Sequence, residues 1–367
     1  MIRLKFYPPY IGDNPYIELF YRALEPHGVV AVDDLNPYDR TLLARLAPEI
    51  QVVHIQWCPE RIWRGDGRGP VRSWRSLVGF ARYLRRARSL GIRVLWTIHD
   101  FEHHDGDRLI DRFGYRLLAR SADLCICHDV ATRRAVIRRF GARPGRTVVM
   151  PIGGYDGVYP EPRSRGETLA SLDIARDRRV LVCFGRVRPY KGVDVALDAL
   201  ASLGEPYHLI VVGAPLEAAY GRELAARAAG LSAVSLLLEE VSDQRLADLL
   251  HAADCVLLPY RRITGSSALL AALTLGRGVV ASDLPFFRET LAEEPEAGVL
   301  CAPTDPIDLA RAVRTFFELP ADRRHAAARR IADRYAWDRV IAPVADWFDR
   351  EFPGQARSVA AEERPGS

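Results

Sequence analysis

Val180-Leu181-Val182-Cys183-Phe184-Gly185-Arg186-Val187-Arg188-Pro189-Tyr190-Lys191-Gly192-Val193-Asp194-Val195-Ala196-Leu197-Asp198-Ala199-Leu200 is the stretch from which the rest of the chain can be read. Its apolar opening, Val180 to Phe184, reads as a buried strand. Gly185 to Gly192 supplies turn residues and paired cations, and from Val193 the apolar spacing becomes helical. Strand, glycine turn, cations and helix start together make a phosphate site. A guanidinium forks two donors onto phosphate oxygens, whereas an ammonium is a compact point charge, so Arg186 and Lys191 offer a diphosphate two different partners. Lys and Arg total 51, and only Lys5 and Lys191 are Lys. In a chain this poor in lysine, one in this turn points to chemistry; a solvated turn with incidental charge is the alternative.

Strands and helices alternate outward from this stretch in both directions. Before it, strands are expected at Arg3 to Tyr7, Val29 to Asp33, Val52 to Trp57, Val94 to His99, Leu124 to His128 and Val148 to Ile152. Helical patterns fall near 16–26, 39–47, 73–89, 108–120 and 130–140. After it come strands at Leu209 to Val212, Ser235 to Leu238, Cys255 to Leu258, Val279 to Ala281 and Val299 to Cys301, with helices near 192–203, 217–229, 243–252, 266–275, 305–318 and 321–334. Continuous Val/Ile/Leu runs separated by helices imply parallel sheets covered on both faces. The fold class is therefore α/β, with two Rossmann-like doubly wound domains, 1–155 and 165–335, joined by the Gly/Pro-rich linker 151–166. A helix follows over 336–352, and a tail at 353–367 is expected to be disordered. Two such domains facing across a cleft would bind ligands between the carboxyl ends of their strands.

Length and composition agree with this division. A chain of 367 residues exceeds one ordinary core, and 49% hydrophobic with 27% charged residues is the balance of a globular protein. No apolar run reaches the roughly 18 residues of a membrane span, and no signal peptide is apparent, so a cytoplasmic location is expected. Cys58, Cys125, Cys127, Cys183, Cys255 and Cys301 lack metal-ligand spacing and read mostly as buried thiols. The net charge of +4 is mild but uneven: residues 60–93 hold ten arginines against Glu60 and Asp66. Trp57, Trp63 and Trp74 are interleaved with them. Arg with Trp suits an anionic membrane surface, so segment 57–93 is a candidate for peripheral contact with the inner face of the plasma membrane. The alternative is a helix that packs Trp74, Leu77, Val78, Ala81 and Leu84 onto a sheet and solvates its arginines. No nucleic-acid reading motif is present.

Four segments resemble the nucleotide-sugar-dependent glycosyltransferases of the two-Rossmann GT-B fold, in the large group of bacterial polysaccharide and glycolipid transferases. Gly185 to Gly192 is similar to the family's diphosphate turn, with Arg186 and Lys191 on the donor diphosphate. Glu240-Val241-Ser242-Asp243 resembles its nucleotide-base loop. Leu257-Leu258-Pro259-Tyr260, Gly265-Ser266-Ser267-Ala268-Leu269-Leu270 and Gly276 to Ser282 resemble the donor strand, loop and helix. Trp96-Thr97-Ile98-His99-Asp100 is similar to the Thr-x-His segment. The resemblance implies transfer of a sugar from a nucleoside-diphosphate sugar to a glycan, lipid-linked or small-molecule hydroxyl, with donor contacts from Arg186, Lys191, Glu240, Val241, Tyr260, Gly265, Ser266 and Ser267. It implies no separate cofactor. Gly265-Ser266-Ser267 also opens a helix whose free N–H groups suit an anion. No convincing Asp-x-Asp motif is present, since Asp105-Gly106-Asp107 matches only by letters, so metal-independent chemistry is expected.

The chain departs from the family where retaining members carry two glutamates: the corresponding positions hold Ile263 and Ala271. Three readings follow: a transferase with substitute groups, an inverting mechanism, or a donor-binding protein that does not turn over. Inversion needs a base at the acceptor hydroxyl, and His99, Asp100, Glu102 and His104 are the candidates. His128 could line the same cleft or serve the core. Gly12, Asp13 and Asn14, after the first strand, are candidates for acceptor contact. Arg261 and Arg262 could meet a uronate carboxylate or the diphosphate of a lipid-linked acceptor. Alternative functions are a non-catalytic subunit activating a partner transferase, or a nucleotide-sugar epimerase.

Overall fold

In the computed structural model the described residues are 1–8, 15–34, 43, 49–57, 59–64, 70–99, 109–263 and 265–354. They form two six-stranded sheets. Strands β1 (Ile2–Tyr7), β2 (Val29–Asp34), β3 (Val52–Ile55), β4 (Arg93–Ile98), β5 (Leu124–Cys127) and β6 (Thr147–Val149) build the first. Strands β7 (Arg179–Phe184), β8 (Tyr207–Val212), β9 (Val234–Leu237), β10 (Cys255–Leu258), β11 (Val279–Ser282) and β12 (Gly298–Cys301) build the second. Every strand pair is parallel. Most of the apolar runs marked in the sequence are these strands, because burial on both faces leaves no polar alternation to blur them; in β1, Arg3 and Lys5 alternate with Ile2, Leu4 and Phe6, and Arg3 is exposed.

The chain divides into two compact units, one of Met1–Gly153 with the chain from Trp337 onward, the other of Gly154–Ala336. The first sheet runs β2-β1-β3-β4-β5-β6 and the second β12-β11-β10-β7-β8-β9. These are the two common doubly wound orders, flavodoxin-like in the first unit and dinucleotide-binding in the second. Strand order reverses beside β1 and β3 in one and beside β7 and β10 in the other. At such a reversal the neighbouring loops leave in opposite directions and open a crevice above the strand ends.

The first sheet's side chains alternate into two cores. Val53, Ile55, Val94, Trp96 and Ile98 face the helices Pro70–Ser89 and Leu109–Ser121, while Leu4, Val52, Leu95 and Ile126 face Tyr16–Leu24. The C-terminal helix Ala342–Glu351 joins this second core through Val344, Ala345, Trp347 and Phe348, and Arg93 pairs with Glu351. Helix Pro70–Ser89 divides the expected packing set. Leu77 and Leu84 are buried, but Trp74 and Val78 stand 45% and 48% exposed. Of the three tryptophans assigned to the membrane segment, Trp63 is fully buried against Tyr115 and Asp111, and Trp57 lies on His99. Only Trp74 is at the surface. Three helices carry no clear signal in the sequence, Glu60–Arg64, Arg165–Ala170 and Pro285–Leu291, each too short to show a period. The expected helix near 39–47, Leu43 apart, and the tail beyond Gly354 lie outside the described residues.

Candidate active site

In the second unit the decisive stretch closes over the ends of β7 and β10. Gly185 follows β7 at φ +83°, Pro189–Lys191 makes a single tight turn, and Gly192 starts helix Val193–Leu203 at φ +67°. A Cβ on Gly192 would lie 2.0 Å from the Pro259 carbonyl oxygen, so only glycine lets this loop rest on the backbone leaving β10. Arg261 completes the seam: its backbone N–H donates to Tyr190 O at 2.7 Å, and its guanidinium donates to Pro189 O and, in a fork of 3.0 and 2.6 Å, to both carboxylate oxygens of Asp194. Tyr220 Oη donates to Asp194 Oδ1 at 2.9 Å. Burial pushes the Asp194 carboxyl up, but Arg261 and Tyr220 outweigh it and hold the group below its usual range. Arg261 thus already has a carboxylate of its own, which differs from the expectation that it waits for a substrate anion.

Lys191 turns its ammonium onto the last carbonyl of β7, donating to Phe184 O at 3.1 Å, and lies 5.8 Å from the Tyr260 ring centre. Desolvation lowers its pKa to about 8, with Arg188 adding to the effect against an opposing influence from Cys183. Tyr260 is buried and meets Tyr190 edge-on at 5.9 Å. Ser266, also buried, accepts from Leu269 N at 3.1 Å and caps helix Ser267–Thr274, whose first N–H groups therefore lie beyond β10. Gly265 is half-buried and Ser267 exposed. Arg186 donates to Glu240 Oε1 at 3.3 Å, joining the expected diphosphate and base segments in one exposed pair. Exposed pairs contribute at most about 1 kcal/mol, so an anion can compete for this guanidinium. Val241 is half-buried, and Ser242 caps helix Asp243–Ala252. Ala271 is buried and Ile263 half-buried, so apolar side chains occupy both positions where the resemblance looks for glutamates.

The first unit places a different kind of group at its strand ends. His99, just after β4, stacks on Trp57 at 3.8 Å and meets the edge of Tyr16 at 4.9 Å. Its Nδ1 is 3.1 Å from His128 Nε2, and its Nε2 is 3.1 Å from Gln56 Oε1. His128 Nδ1 is 3.0 Å from Met150 O. Gln56 Nε2 reaches Tyr21 Oη at 3.1 Å, and the chain continues through His54 Nδ1 at 2.9 Å to Thr97 Oγ1, 2.8 Å from His54 Nε2. Burial lowers all three imidazoles: His54 to about 3, His128 to about 4, and His99 well below its ordinary value, with His128 and His54 adding to the effect on His99.

Neutral rings fix the direction of this chain. Met150 O only accepts, so His128 carries its proton on Nδ1 and accepts at Nε2. His99 must then donate from Nδ1, which leaves a lone pair on Nε2. Gln56 can face that lone pair only with its NH₂, so its amide, whose two ends have the same shape, is turned end for end relative to the placement above. The other orientation needs an imidazolium between His99 and His128, which burial disfavours. His99 is therefore engaged at both nitrogens, donating from Nδ1 to His128 and accepting at Nε2 from Gln56. His54, Gln56 and Tyr21 were missed in the sequence; the alternation of His54 and Gln56 at the end of β3 was the available signal. Asp100, Glu102 and His104, and the acceptor candidates Gly12, Asp13 and Asn14, lie outside the described residues.

The family model described as Glycosyl transferases group 1 matches residues 164–333, which contain all the described groups of the phosphate turn and the capped helix. The chain is 30% identical over 385 residues to the D-inositol 3-phosphate glycosyltransferase of Streptosporangium roseum, spanning 92% of this chain and 88% of that one. The chain belongs to the group 1 glycosyltransferases. The corresponding protein of Geodermatophilus obscurus is 32% identical over 252 residues, but the match spans 64% of this glycosyltransferase and only 55% of that relative. Among solved structures, Anabaena HepE in complex with UDP and glucose superposes with a TM-score of 0.72 at 19% identity, covering 95% of this chain and all of that one. That likeness is one of fold, the two-Rossmann GT-B architecture expected for a group 1 glycosyltransferase.

Proposed function

We propose that this glycosyltransferase takes its sugar from a nucleoside-diphosphate sugar whose diphosphate is held in the second unit by Lys191, Arg186 and the N-terminus of helix Ser267–Thr274. One observation carries the reading: an ammonium at the end of β7 and a capped helix start beyond β10 flank the point where strand order reverses. In transfer, the bond from the anomeric carbon to the diphosphate oxygen breaks, and the acceptor hydroxyl oxygen bonds to that carbon. The leaving diphosphate gains negative charge, and preorganised cations and amides stabilise it more than the intact donor. On this reading these groups take the place of a divalent ion. The acceptor proton passes to a base, for which His99 offers an acceptor nitrogen if a hydroxyl displaces Gln56. The acceptor is a glycan, lipid-linked or small-molecule hydroxyl.

The apolar residues at 263 and 271 favour a second reading, a subunit that binds donor without turning it over. Both are tested by melting the full chain with nucleoside diphosphates and their sugars, since a ligand bound only by the folded state raises Tm. A rise that disappears in Lys191→Ala supports the donor site, and no rise with any nucleotide overturns it. Donor consumption on adding acceptor then separates transferase from subunit.

A further inference from the structure

Helix Pro70–Ser89 places Leu77, Phe80, Tyr83, Leu84 and Ala87 in the core. It leaves more than charge outside. Val71, Trp74 and Val78 are 74%, 45% and 48% exposed, and on the adjoining helix Leu109–Ser121 Leu109 and Phe113 are 73% and 49% exposed. The Trp74 and Phe113 rings lie 5.2 Å apart, which joins the two sets into one surface. Five of the nine large hydrophobic side chains exposed among the described residues are therefore on these two helices. Such clustering marks an interaction surface, whereas scattered exposed residues do not.

The charge on the same helices is of one sign. Arg72, Arg75, Arg82, Arg85, Arg86, Arg88, Arg112, Arg116 and Arg120 are all exposed. Their one acidic residue, Asp111, is buried and taken by Arg64 and Trp63. An indole and a phenyl ring set among guanidiniums match a bilayer interface, where rings rest among the headgroups and each arginine keeps its stem on the apolar side and its charge with the phosphates. A nucleic acid would use the cations but give Val71, Val78 and Leu109 no partner.

We propose that the outward faces of helices Pro70–Ser89 and Leu109–Ser121 dock this chain on a bilayer containing anionic phospholipid, with Val71, Trp74, Val78, Leu109 and Phe113 entering the headgroup layer. The surface uses none of the residues of the donor reading and stands whether or not that reading does.

The test is co-sedimentation of the full chain with vesicles of phosphatidylcholine alone and of phosphatidylcholine with phosphatidylglycerol. Binding should need the anionic lipid. The double variant Trp74→Ala with Phe113→Ala should bind about tenfold more weakly through lost apolar burial, with Tm and any donor-induced shift unchanged. Arg72→Gln with Arg75→Gln and Arg82→Gln should remove the preference for anionic vesicles. Trp74 fluorescence, taken as the difference from Trp74→Phe, should be quenched by brominated lipid. Anionic-vesicle binding that ignores the aromatic variant, or that is matched by a soluble polyanion such as heparin, would show a plain cationic surface and overturn the proposal. So would absence of binding to either vesicle.

Discussion

The two units share an architecture and differ in what they place at the reversal of strand order. The second presents an ammonium, a guanidinium and a capped helix start; the first presents three neutral imidazoles in a hydrogen-bonded chain. The parallel sheet is indifferent to this choice, because Lys191, the helix start, His99 and His128 all sit beyond the last paired residue of a strand, and only His54 lies within one. What separates them is the kind of group that is desolvated. Burial lowers the pKa at both ends, but an ammonium brought down to about 8 still carries its charge at neutral pH, whereas imidazoles lowered from 6.5 stay uncharged there. One end is suited to an anion whose charge grows during reaction, the other to fixing the direction of a hydrogen bond.

The strongest way to break this contrast is to discharge the second unit. Lys191→Met keeps the length of the side chain and removes its charge, and kcat/KM should fall about a thousandfold, the scale of a lost transition-state electrostatic contact. Lys191→Arg should recover little, because the ammonium lies only 2.8 Å from where a Cβ on Gly185 would be and leaves no room for a planar fork. Donor-induced stabilisation of Lys191→Met equal to wild type would move the anion site elsewhere.

The next test uses pH: stability should rise with pH at both the alkaline and the acid end, while donor capture falls at the alkaline one. Lys191 is at about 8 in the folded chain and at an ordinary 10.5 when unfolded. Between those values the unfolded chain holds a proton that the folded chain has released, so Lys191 makes the ligand-free protein more stable as pH rises. Donor capture runs the other way: kcat/KM should fall up to about tenfold per pH unit above 8, as the ammonium is lost from the free enzyme. At the acid end the unfolded chain gains protons below 6.5 that the folded imidazoles refuse, so stability drops from there toward about 3, the value for His54. Melting curves against pH for wild type and Lys191→Met check this, and an alkaline trend that persists unchanged in the variant would refute the assignment to Lys191.

Much of the contrast could be read before any coordinates. Most of the twelve strands were legible as short apolar runs flanked by turn residues, β1 instead by the alternation of Ile2, Leu4 and Phe6 with Arg3 and Lys5, and Lys191 stood out by its rarity. The seam from Arg261 to Asp194 was not, since residues 67 apart in sequence meet only through the crossover from β7 to β10. The histidine chain was half visible: His99 and His128 both end strands, but Gln56, Tyr21 and His54 join them by pairing and helix packing that no local pattern encodes. Trp74 and Val78 were misjudged by the packing alternative, because an apolar residue at a helical spacing does not say whether the facing side is core or outside.

The histidine chain can be cut without changing shape. His128→Phe keeps a ring against Tyr16, now 5.7 Å away, and removes the acceptor that sets the His99 tautomer. Turnover should fall about tenfold, as when a ligand's orienting partner is lost, while donor-induced stabilisation stays at wild type. Nitrogen NMR should show His99 moving from a single Nδ1–H tautomer to a mixture. Wild-type turnover with the mixture present would leave the chain a purely structural role.

The smallest effect belongs to the seam and settles what Arg261 is for. Its pair with Asp194 is bidentate but partly open, the side chains being 35% and 13% exposed, so after allowance for solvent screening its loss should cost about 1 kcal/mol. For a unit of this size that is about 3 °C in Tm. Arg261→Gln should also loosen the turn that carries Lys191, weakening donor binding about threefold, and equally for neutral and acidic sugars because the guanidinium is spent on Asp194 and Pro189. Asp194→Asn should reproduce both changes, since it cuts the same contact from the other side. If Arg261→Gln instead weakened only acidic donors, or Asp194→Asn strengthened them, the guanidinium would be leaving its carboxylate for the substrate's, and the second unit would read the sugar as well as the diphosphate.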